Sequence, residues 1–314
     1  MKRFCMVGVG SIGTRHLKNL TALLRERGVE FQIDALRSSD RPLPAETAAL
    51  LHRTYTRAED LPGGYDAVFI TNPTALHYAA MQACMDKTRH MFIEKPVFDR
   101  TDLDLGALRC KPDGVYYVAC PLRYRRVIAY MKELTQQHPV FAARAICSTY
   151  LPDWRPGVDY RQTYSARREL GGGVGIDLIH EWDYLCYLFG RPNRVYALSG
   201  TYSDLEVTSD DLAVYIGQYD RLLVSLHLDY FGRFDRREVE LYLPDDVVVG
   251  DLIRSEVRFL KSGKTAALPE SRDDYQKREI ACFLDMLEGR QENHNPLALA
   301  VDVLKITRGE TGRA

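Results

Sequence analysis

The sequence predicts an α/β protein of two domains, with a doubly wound parallel sheet over residues 1–120 and an α+β domain with a large, mostly antiparallel sheet over residues 121–314. The chain of 314 residues exceeds the usual size limit of a single hydrophobic core. Its first part alternates short apolar strands with helical segments, which is the order of elements in a parallel sheet covered by helices. Its second part contains strands joined by short connections, and such strands pair antiparallel.

The first strand is predicted within FCMVGVG, and three glycines follow it in GxGxxG spacing at the start of a helix. In a Rossmann dinucleotide-binding fold they allow a tight turn, close approach of the backbone to a pyrophosphate, and close packing of helix against strand. The free N–H groups of the first helical turn then hold the phosphates. The motif predicts that the dinucleotide contacts Gly8, Gly10, Ser11, Ile12 and Gly13.

The second strand is predicted in FQIDALRSS (31–39), and its carboxyl end would meet the adenosine ribose. An acidic residue there binds the 2′-hydroxyl of NAD, whereas a cation with hydroxyl residues suits the 2′-phosphate of NADP. Arg37, Ser38 and Ser39 fit the NADP pattern. Asp34 has the more usual distance from the glycine motif but lies inside the predicted strand. We therefore expect NADP as the preferred cofactor, with NAD as the alternative.

Two later strands end in polar residues, YDAVFITN (65–72) before a helix from about residue 75 to 87, and HMFIEKP (90–96). The carboxyl ends of neighbouring parallel strands line the ligand crevice of a doubly wound sheet. A lysine after an apolar strand is usually a surface cation, which is the alternative for Lys95. The position at the strand ends nevertheless predicts cofactor contacts from Thr71, Asn72, Pro73, His77, Glu94 and Lys95.

The second domain begins with a predicted helix over 121–134. Strands are predicted at 140–150, 193–202, 210–219, 222–231, 237–243 and 246–253. KSGKT (261–265) lacks the first glycine of a phosphate-binding loop, because Arg258 occupies that position, and it predicts a hairpin turn. A structural helix is predicted over 273–290, with Phe283, Met286 and Leu287 facing inward.

The segment GGGVGIDLIHEWDYL (171–185) predicts a helix with a chemically equipped face. At about 100° per residue, Asp177, His180, Glu181 and Tyr184 fall on one narrow arc, and bulky apolar residues fall on the other side. The alternative is an ordinary amphipathic helix whose polar face meets solvent.

The preceding residues 151–170, LPDWRPGVDYRQTYSARREL, combine arginines with aromatic rings. Arginine forks bind carboxylate or phosphate, and aromatic rings stack on sugar faces. The composition predicts a lid over an anionic, hydroxylated substrate, with contacts from Trp154, Tyr160, Arg161 and Tyr164. The alternative is a solvated loop whose arginines pair with local carboxylates.

The glycine motif, the TNPTALH turn, EKP and GGGVGID, at these spacings, resemble the family of glucose-fructose oxidoreductase, inositol dehydrogenase and their relatives (Gfo/Idh/MocA). The similarity covers nearly the whole chain, because the antiparallel-sheet domain and the helical end with NPLALAVDVLKI also look like that family. The resemblance implies an NAD(P)-dependent dehydrogenase or reductase acting on a CH–OH carbon of a sugar, sugar acid, cyclitol or nucleotide sugar.

The resemblance also assigns catalytic roles, with Lys95 as acid or base and Asp177 as its partner. Many relatives have a catalytic histidine four residues after the aspartate, where this chain has Glu181, whereas His180 lies one residue earlier. Residues three and four apart share a helical face, so His180 is the candidate for that role, and both residues are candidate substrate ligands. The family further draws contacts from the segment after its first domain, here Arg123 and Tyr124.

A second function class stays open, a non-catalytic NAD(P)-binding regulatory or scaffold protein of the same fold, which the displaced histidine favours. Lys plus Arg number 42 and Asp plus Glu 43, so no general field would gather nucleic acid or an anionic membrane. No apolar run reaches the about 20 residues of a membrane span, and MKRFCMVGVG does not resemble a signal peptide. Seven cysteines without a CxxC pair predict reduced thiols and no metal. We expect a cytoplasmic homodimer or homotetramer that binds a small polyhydroxylated molecule.

Overall fold

The computed structural model describes residues 1–310 of the chain. It contains two compact units, Met1–Pro121 with Arg272–Val301, and Leu122–Ser271 with residues 302–310. The single boundary predicted at residue 121 does not include the return of residues 272–301 to the first unit. That return follows from side-chain packing, which a boundary read along the chain does not show.

The first unit has a six-stranded parallel sheet in the order β3-β2-β1-β4-β5-β6. Residues 4–7, 67–70 and 91–93 of its central strands are buried, as expected of a parallel sheet covered on both faces. The strands are β1 (Lys2–Val7), β2 (Phe31–Leu36), β3 (Arg53–Tyr55), β4 (Ala67–Ile70), β5 (Met91–Ile93) and β6 (Tyr116–Val118). The two three-residue edge strands, β3 and β6, were not predicted, because three residues show no periodicity.

Four helices accompany this sheet: α1 (Ser11–Glu26), α2 (Ala45–Ala48), α3 (His77–Cys84) and, from the distant segment, α7 (Arg272–Leu287). The helix predicted from residue 75 to 87 is shorter than expected, because Thr74–Leu76 form a 3₁₀ turn before α3.

Helix α7 is held to the first sheet by its apolar face. Phe283 is fully buried and contacts the rings of Phe69 and Phe92 edge-on, at centroid distances of 5.6 and 5.4 Å. Glu279 accepts hydrogen bonds from the Cys120 N–H and the Tyr117 hydroxyl, at 2.6 and 3.1 Å. This helix is therefore part of the first core.

The second unit has an eight-stranded sheet in the order β14-β13-β12-β11-β7-β10-β9-β8, and only β10 and β7 run parallel. Its strands are β7 (Ala142–Tyr150), β8 (Arg194–Gly200), β9 (Leu212–Gln218), β10 (Leu223–Asp229), β11 (Phe231–Tyr242), β12 (Val247–Asp251), β13 (Glu256–Phe259) and β14 (Thr265–Ala267). The remaining helices are α4 (Arg126–Gln137), α5 (Val174–Asp177), α6 (His180–Phe189) and α8 (Leu297–Thr307).

Two details of this sheet bear on the sequence predictions. Strand β11 begins six residues earlier than predicted, with a register shift between Phe231 and Arg236. The KSGKT segment forms the hairpin turn between β13 and β14, as predicted, and the Asp246 carboxylate accepts the N–H groups of Lys261 and Ser262.

None of the helices described between residues 1 and 310 combines the length and the apolar composition that a membrane span requires.

Candidate active site

The glycine motif forms a tight cradle at the carboxyl end of β1. Gly8 has φ +90°, and a Cβ there would lie 2.8 Å from the backbone of Asn72. A Cβ on Gly13 would lie 2.2 Å from the Gly8 carbonyl oxygen and 2.7 Å from Thr71 Oγ1. Side chains at these two positions would therefore push α1 away from the strand ends, so both must be glycine.

Gly10 differs, because a Cβ built there meets no protein atom within 4 Å. It precedes α1, whose first-turn N–H groups, including those of Ser11 and Ile12, have no acceptor within the helix. A helix of this length presents a partial positive charge at that end. Open space in front of unsatisfied N–H groups is the geometry that a pyrophosphate requires.

The turn after β4 supports this cradle. The Thr71 hydroxyl is buried and donates to the carbonyl oxygens of Gly8, at 2.7 Å, or Val7, at 3.1 Å. Its side chain therefore braces the turn, and its contact with a cofactor stays a prediction. The Oδ1 atom of Asn72 is buried and has no hydrogen-bond partner among residues 1–310, and Pro73 follows it in extended conformation. Such an orphaned acceptor fits a site completed by a ligand.

Glu94 links the phosphate-binding helix to the candidate catalytic lysine. Its Oε1 atom lies 2.5 Å from Nε2 of His16, a fully buried residue of α1. Its Oε2 atom accepts the N–H of Lys95 at 3.0 Å. Burial raises the pKa of Glu94, but the hydrogen bond and charge of His16, aided by Lys95 and His77, outweigh it and hold the pKa below the usual range. Both carboxylate oxygens are thus engaged within the protein, so Glu94 supports the site from behind.

His77, also predicted to contact the cofactor, is buried between two turns. Its Nε2 lies 2.9 Å from the Asn72 carbonyl oxygen and its Nδ1 lies 3.1 Å from that of Val97. Burial lowers its pKa, against the opposing effect of these carbonyls. The His77 ring lies between the carbonyl groups of the two strand-end turns, which suits a positioning element, and it is only 1% exposed.

At the carboxyl end of β2, the residue that favours NAD and the residues that favour NADP have different surroundings. Asp34 is buried in the strand, where it accepts the Tyr65 hydroxyl at 2.7 Å and lies 3.2 Å from Nδ1 of His52. Arg37 follows the strand, and its Nη2 donates to the Arg41 carbonyl oxygen at 2.7 Å. Ser38 and Ser39 come next, at least partly exposed. Asp34 therefore has its hydrogen-bond partners inside the fold, whereas Arg37, Ser38 and Ser39 lie after the end of β2.

In the second unit, Asp177 is the centre of a hydrogen-bonded aromatic cluster. Its side chain is 7% exposed, and its Oδ2 accepts the Tyr230 hydroxyl at 2.5 Å. Tyr164 belongs to the same cluster, and desolvation followed by the charge of the Asp177 carboxylate raises the pKa of Tyr164 above its usual range. Trp154 packs edge-on against Tyr230 at a centroid distance of 5.3 Å, and its Nε1 donates to Thr149.

The triple glycine lets the chain fold tightly before Asp177. A Cβ on Gly172 would lie 2.0 Å from the Tyr164 carbonyl oxygen and 2.6 Å from that of Ser165. Gly171 and Gly173 have φ +82° and +141°, which L side chains rarely adopt. The glycines therefore place Asp177 against the segment that carries Tyr164.

The single helix predicted after the glycines is interrupted between α5 and α6, and this splits the predicted polar arc. Asp177 ends α5 and His180, half-buried, begins α6. Glu181 is fully buried, and its two oxygens accept from Arg237 Nε and Nη2 at 2.6 and 3.1 Å. The predicted polar arc is thus divided between two clusters. Because Glu181 pairs with Arg237, we do not include it among the proposed substrate ligands.

Two other predicted substrate ligands are also engaged locally. Arg123 is buried in a bidentate pair with Asp183, at 3.0 and 2.7 Å, and its guanidinium lies 5.4 Å from the Tyr187 ring centroid. The ion pair explains why Arg123 faces the interior. Tyr124 follows it in a 3₁₀ turn and is half-buried.

The arginine-rich segment closes on the loop around residue 206. Arg161 pairs with Asp159 and with Glu206, at 2.8 and 2.6 Å, and the Tyr160 hydroxyl accepts the Glu206 N–H. Arg161 and Tyr160 therefore match the alternative of a locally paired loop, and their role as substrate ligands stays a prediction. Trp154 and Tyr164, in contrast, lie in the Asp177 cluster.

Two residues of the candidate site, His16 and Tyr230, are not predicted by the sequence patterns. His16 lies one turn after Gly13 on the buried face of α1, and a histidine among apolar positions was the available signal. Tyr230 continues the inward alternation of Val224, Leu226 and Leu228 in β10, where a terminal hydroxyl needs a partner. Among residues 1–310, no group of three His, Cys, Asp or Glu side chains is placed to hold a metal ion.

Comparison with known proteins places both parts of the chain. A model of an oxidoreductase family with an NAD-binding Rossmann fold matches residues 2–104, and a GFO/IDH/MocA C-terminal domain model matches residues 128–244. The chain is 24% identical over 293 residues to myo-inositol 2-dehydrogenase of Thermotoga maritima, covering 90% of this chain and 83% of that protein.

Two further matches cover different shares of the chain. The chain is 25% identical over 200 residues to the uncharacterized oxidoreductase YrbE of Bacillus subtilis, covering 61% of this chain and only 55% of YrbE. A structure of levoglucosan dehydrogenase in complex with NADH and levoglucosan matches with a TM-score of 0.82 at 17% identity, covering 98% of this chain and 95% of that one. With both domain models matched in order, the chain belongs to the Gfo/Idh/MocA family of oxidoreductases.

Proposed function

We propose that this protein is an NAD(P)-dependent oxidoreductase that acts on a CH–OH carbon of a polyhydroxylated small molecule, a sugar, sugar acid, cyclitol or nucleotide sugar. The observation that carries the proposal is the bridge from His16 through Glu94 to the Lys95 N–H. His16 belongs to the helix whose N-terminus would hold the pyrophosphate. The bridge thus ties the backbone of the candidate acid/base to the phosphate-binding helix, which is the coupling that a dinucleotide enzyme needs.

The residues present fit a dinucleotide. Its pyrophosphate and nicotinamide ends would be held by the cradle of Gly8 and Gly13, the open space at Gly10 and the Oδ1 acceptor of Asn72. When bound, the cofactor supplies a nicotinamide ring that accepts or donates hydride.

The chain's own residues manage the proton and the orientation of the substrate. In the oxidative direction, Lys95 accepts the proton of the substrate hydroxyl, and in the reductive direction it returns that proton. Asp177, held by the Tyr230 hydroxyl, accepts a hydrogen bond from a substrate hydroxyl and fixes its position. His180, next to Asp177 along the chain, is proposed to relay the proton.

We propose NADP as the preferred cofactor. Asp34 is engaged by Tyr65 and His52. Arg37, Ser38 and Ser39 then remain at the carboxyl end of β2, and a cation with two hydroxyls suits a 2′-phosphate. The similar levoglucosan dehydrogenase was solved with NADH, so the ratio of kcat/KM for the two cofactors decides the preference.

We also propose a homodimer or homotetramer in the cytoplasm. Support for self-association comes from the outer face of β8 and β9, where Tyr196, Leu198 and Ile216 are 49%, 76% and 39% exposed. Tyr196 and Ile216 are opposite one another in the sheet register, so they form one patch. None of the seven cysteines, all within the described residues, forms a disulfide, which suits a reducing compartment.

The test is a panel of sugars, sugar acids, cyclitols and nucleotide sugars, each assayed with NAD and NADP by nicotinamide absorbance. We expect substrate-dependent reduction of the cofactor with at least one class. Cofactor binding without turnover across the panel, in both directions, would instead favour a regulatory protein of the same fold.

A further inference from the structure

The arginine-rich segment contains one cation whose surroundings differ from those of its neighbours. Arg161 pairs with Asp159 and Glu206, Arg167 with Glu169, and Arg168 with Asp210. The guanidinium of Arg155, in contrast, makes no hydrogen bond or ion pair with any side chain described between residues 1 and 310.

Arg155 is nevertheless held in place by an aromatic ring. Its guanidinium carbon lies 5.7 Å from the ring centroid of Tyr164. A guanidinium over a ring is attracted through its face, and the N–H donors at its edge stay available for a planar anion. The ring therefore positions the cation without using its hydrogen-bonding capacity.

The same ring connects Arg155 to the candidate catalytic aspartate. The face of the Tyr164 ring lies under Arg155, and the pKa of its hydroxyl is raised by burial and then by the nearby Asp177 carboxylate. An anionic group would be repelled at Asp177 and attracted at Arg155. A substrate with hydroxyls at one end and a negative charge at the other therefore fits this pair of residues in one orientation.

The backbone around Arg155 is anchored, so the cation is presented by an ordered segment. Trp154 Nε1 donates to Thr149 at 3.0 Å. Further along, the Ser209 hydroxyl donates to the Ser165 carbonyl oxygen at 2.6 Å, and the Thr208 N–H to that of Ala166 at 2.9 Å. Anchoring on both sides of Tyr164 lowers the entropy cost of binding an anion.

We propose that Arg155 is the specificity residue for an anionic substrate, and that the substrate class of the proposed oxidoreductase is a sugar carrying a carboxylate or a phosphate. This rests on the function proposed above and narrows it. It also moves the anion-binding role from Arg161, whose carboxylate partners occupy it, to Arg155.

Three glucose derivatives that differ only at carbon 6 test the proposal: D-glucuronate, D-glucose 6-phosphate and D-glucose. Each is titrated calorimetrically into the protein saturated with the reduced cofactor, which cannot accept hydride from these alcohols. We expect the carboxylate or the phosphate to bind at least about 10-fold more tightly than glucose, and the stronger of the two identifies the group. The R155Q variant should lose that preference, by about 10- to 100-fold in Kd, while its affinity for glucose is unchanged.

The matched control is R161Q, which removes an arginine of the same segment and should keep the preference. Equal binding of the three ligands by the wild-type protein, no binding of either anion, or a preference that survives in R155Q would overturn the proposal. Because binding is measured without turnover, a preference that depends on Arg155 in a protein with no dehydrogenase activity would overturn only the proposed function.

Discussion

The hydroxyl of Tyr230 donates a hydrogen bond of 2.5 Å to the Asp177 carboxylate, although 53 residues separate the two along the chain. Burial, followed by the charge of Asp177, raises the pKa of Tyr230 well above its usual range. The tyrosine therefore remains a donor at every pH at which an assay is practical, and Asp177 is held in a single orientation.

Replacing Tyr230 by Phe should lower kcat/KM about 10- to 100-fold, because a hydrogen bond to a charged group is lost and the carboxylate is free to turn. Steady-state kinetics on the substrate found by the panel would measure the effect. Y215F is the matched control, since Tyr215 is a buried tyrosine of the same sheet that donates to the Thr307 carbonyl oxygen. Equal losses in both variants would show that Tyr230 acts through stability alone.

Replacing Lys95 by Met should lower kcat about 10²- to 10⁴-fold, the usual contribution of a general acid or base. Cofactor affinity, followed by nicotinamide fluorescence, should change little, because the backbone N–H that binds Glu94 is retained. The control K18M removes an exposed lysine of α1 that pairs with Glu46. Normal turnover in K95M would refute the assignment of Lys95.

The sequence predicted best where residues lie when their position depends on backbone geometry or on a strand end. Gly8, Gly13 and Lys95 are of this kind, because spacing along one strand and one turn determines their place in the fold, whereas their roles stay predictions. The partners of buried charges could not be predicted in this way. The pairing of Glu181 with Arg237 depends on the early start and register shift of β11, which no local pattern shows.

The same reasoning explains the arginine-rich segment. Its composition is compatible with a substrate lid and with a locally paired loop, and in the structure Arg161, Arg167 and Arg168 pair locally whereas Arg155 lies over a ring. Arg161 finds Glu206 only because the loop of residues 201–210 folds back on it, a contact 45 residues away in sequence. Tertiary proximity, and not composition, decides which arginine retains its donors.

Glu94 gives the stability of the fold a defined pH dependence. Its pKa is lowered, so it stabilises the fold above its unfolded pKa of about 4.3, and this contribution is lost as the pH falls through the folded pKa. The difference in unfolding free energy between wild type and E94Q, from urea titrations, should be largest near pH 7 and should shrink below about pH 4.3.

The control for this titration is E26Q, a change at an exposed glutamate whose nearest cation, on Lys277, lies 3.7 Å away. Its unfolding free energy should follow that of wild type at every pH, because exposed pairs contribute little. A pH-independent difference between E94Q and wild type would contradict a charged Glu94 in the folded protein.

Replacing Gly10 by Ala should separate cofactor binding from folding. Gly10 has φ −80° and ψ −163°, which alanine adopts readily, and its Cβ would meet no protein atom within 4 Å. The cofactor-free protein should therefore lose at most about 1 kcal/mol of unfolding free energy, from the less favourable cap. The added methyl group would nevertheless occupy the space in front of the α1 N–H groups, so the Kd for NADP should rise about 10-fold or more.

G13A is the contrasting variant, because its Cβ would lie 2.2 Å from the Gly8 carbonyl oxygen and should destabilise the fold itself. Unchanged NADP affinity in a folded G10A protein would mean that the pyrophosphate does not lie in this cradle.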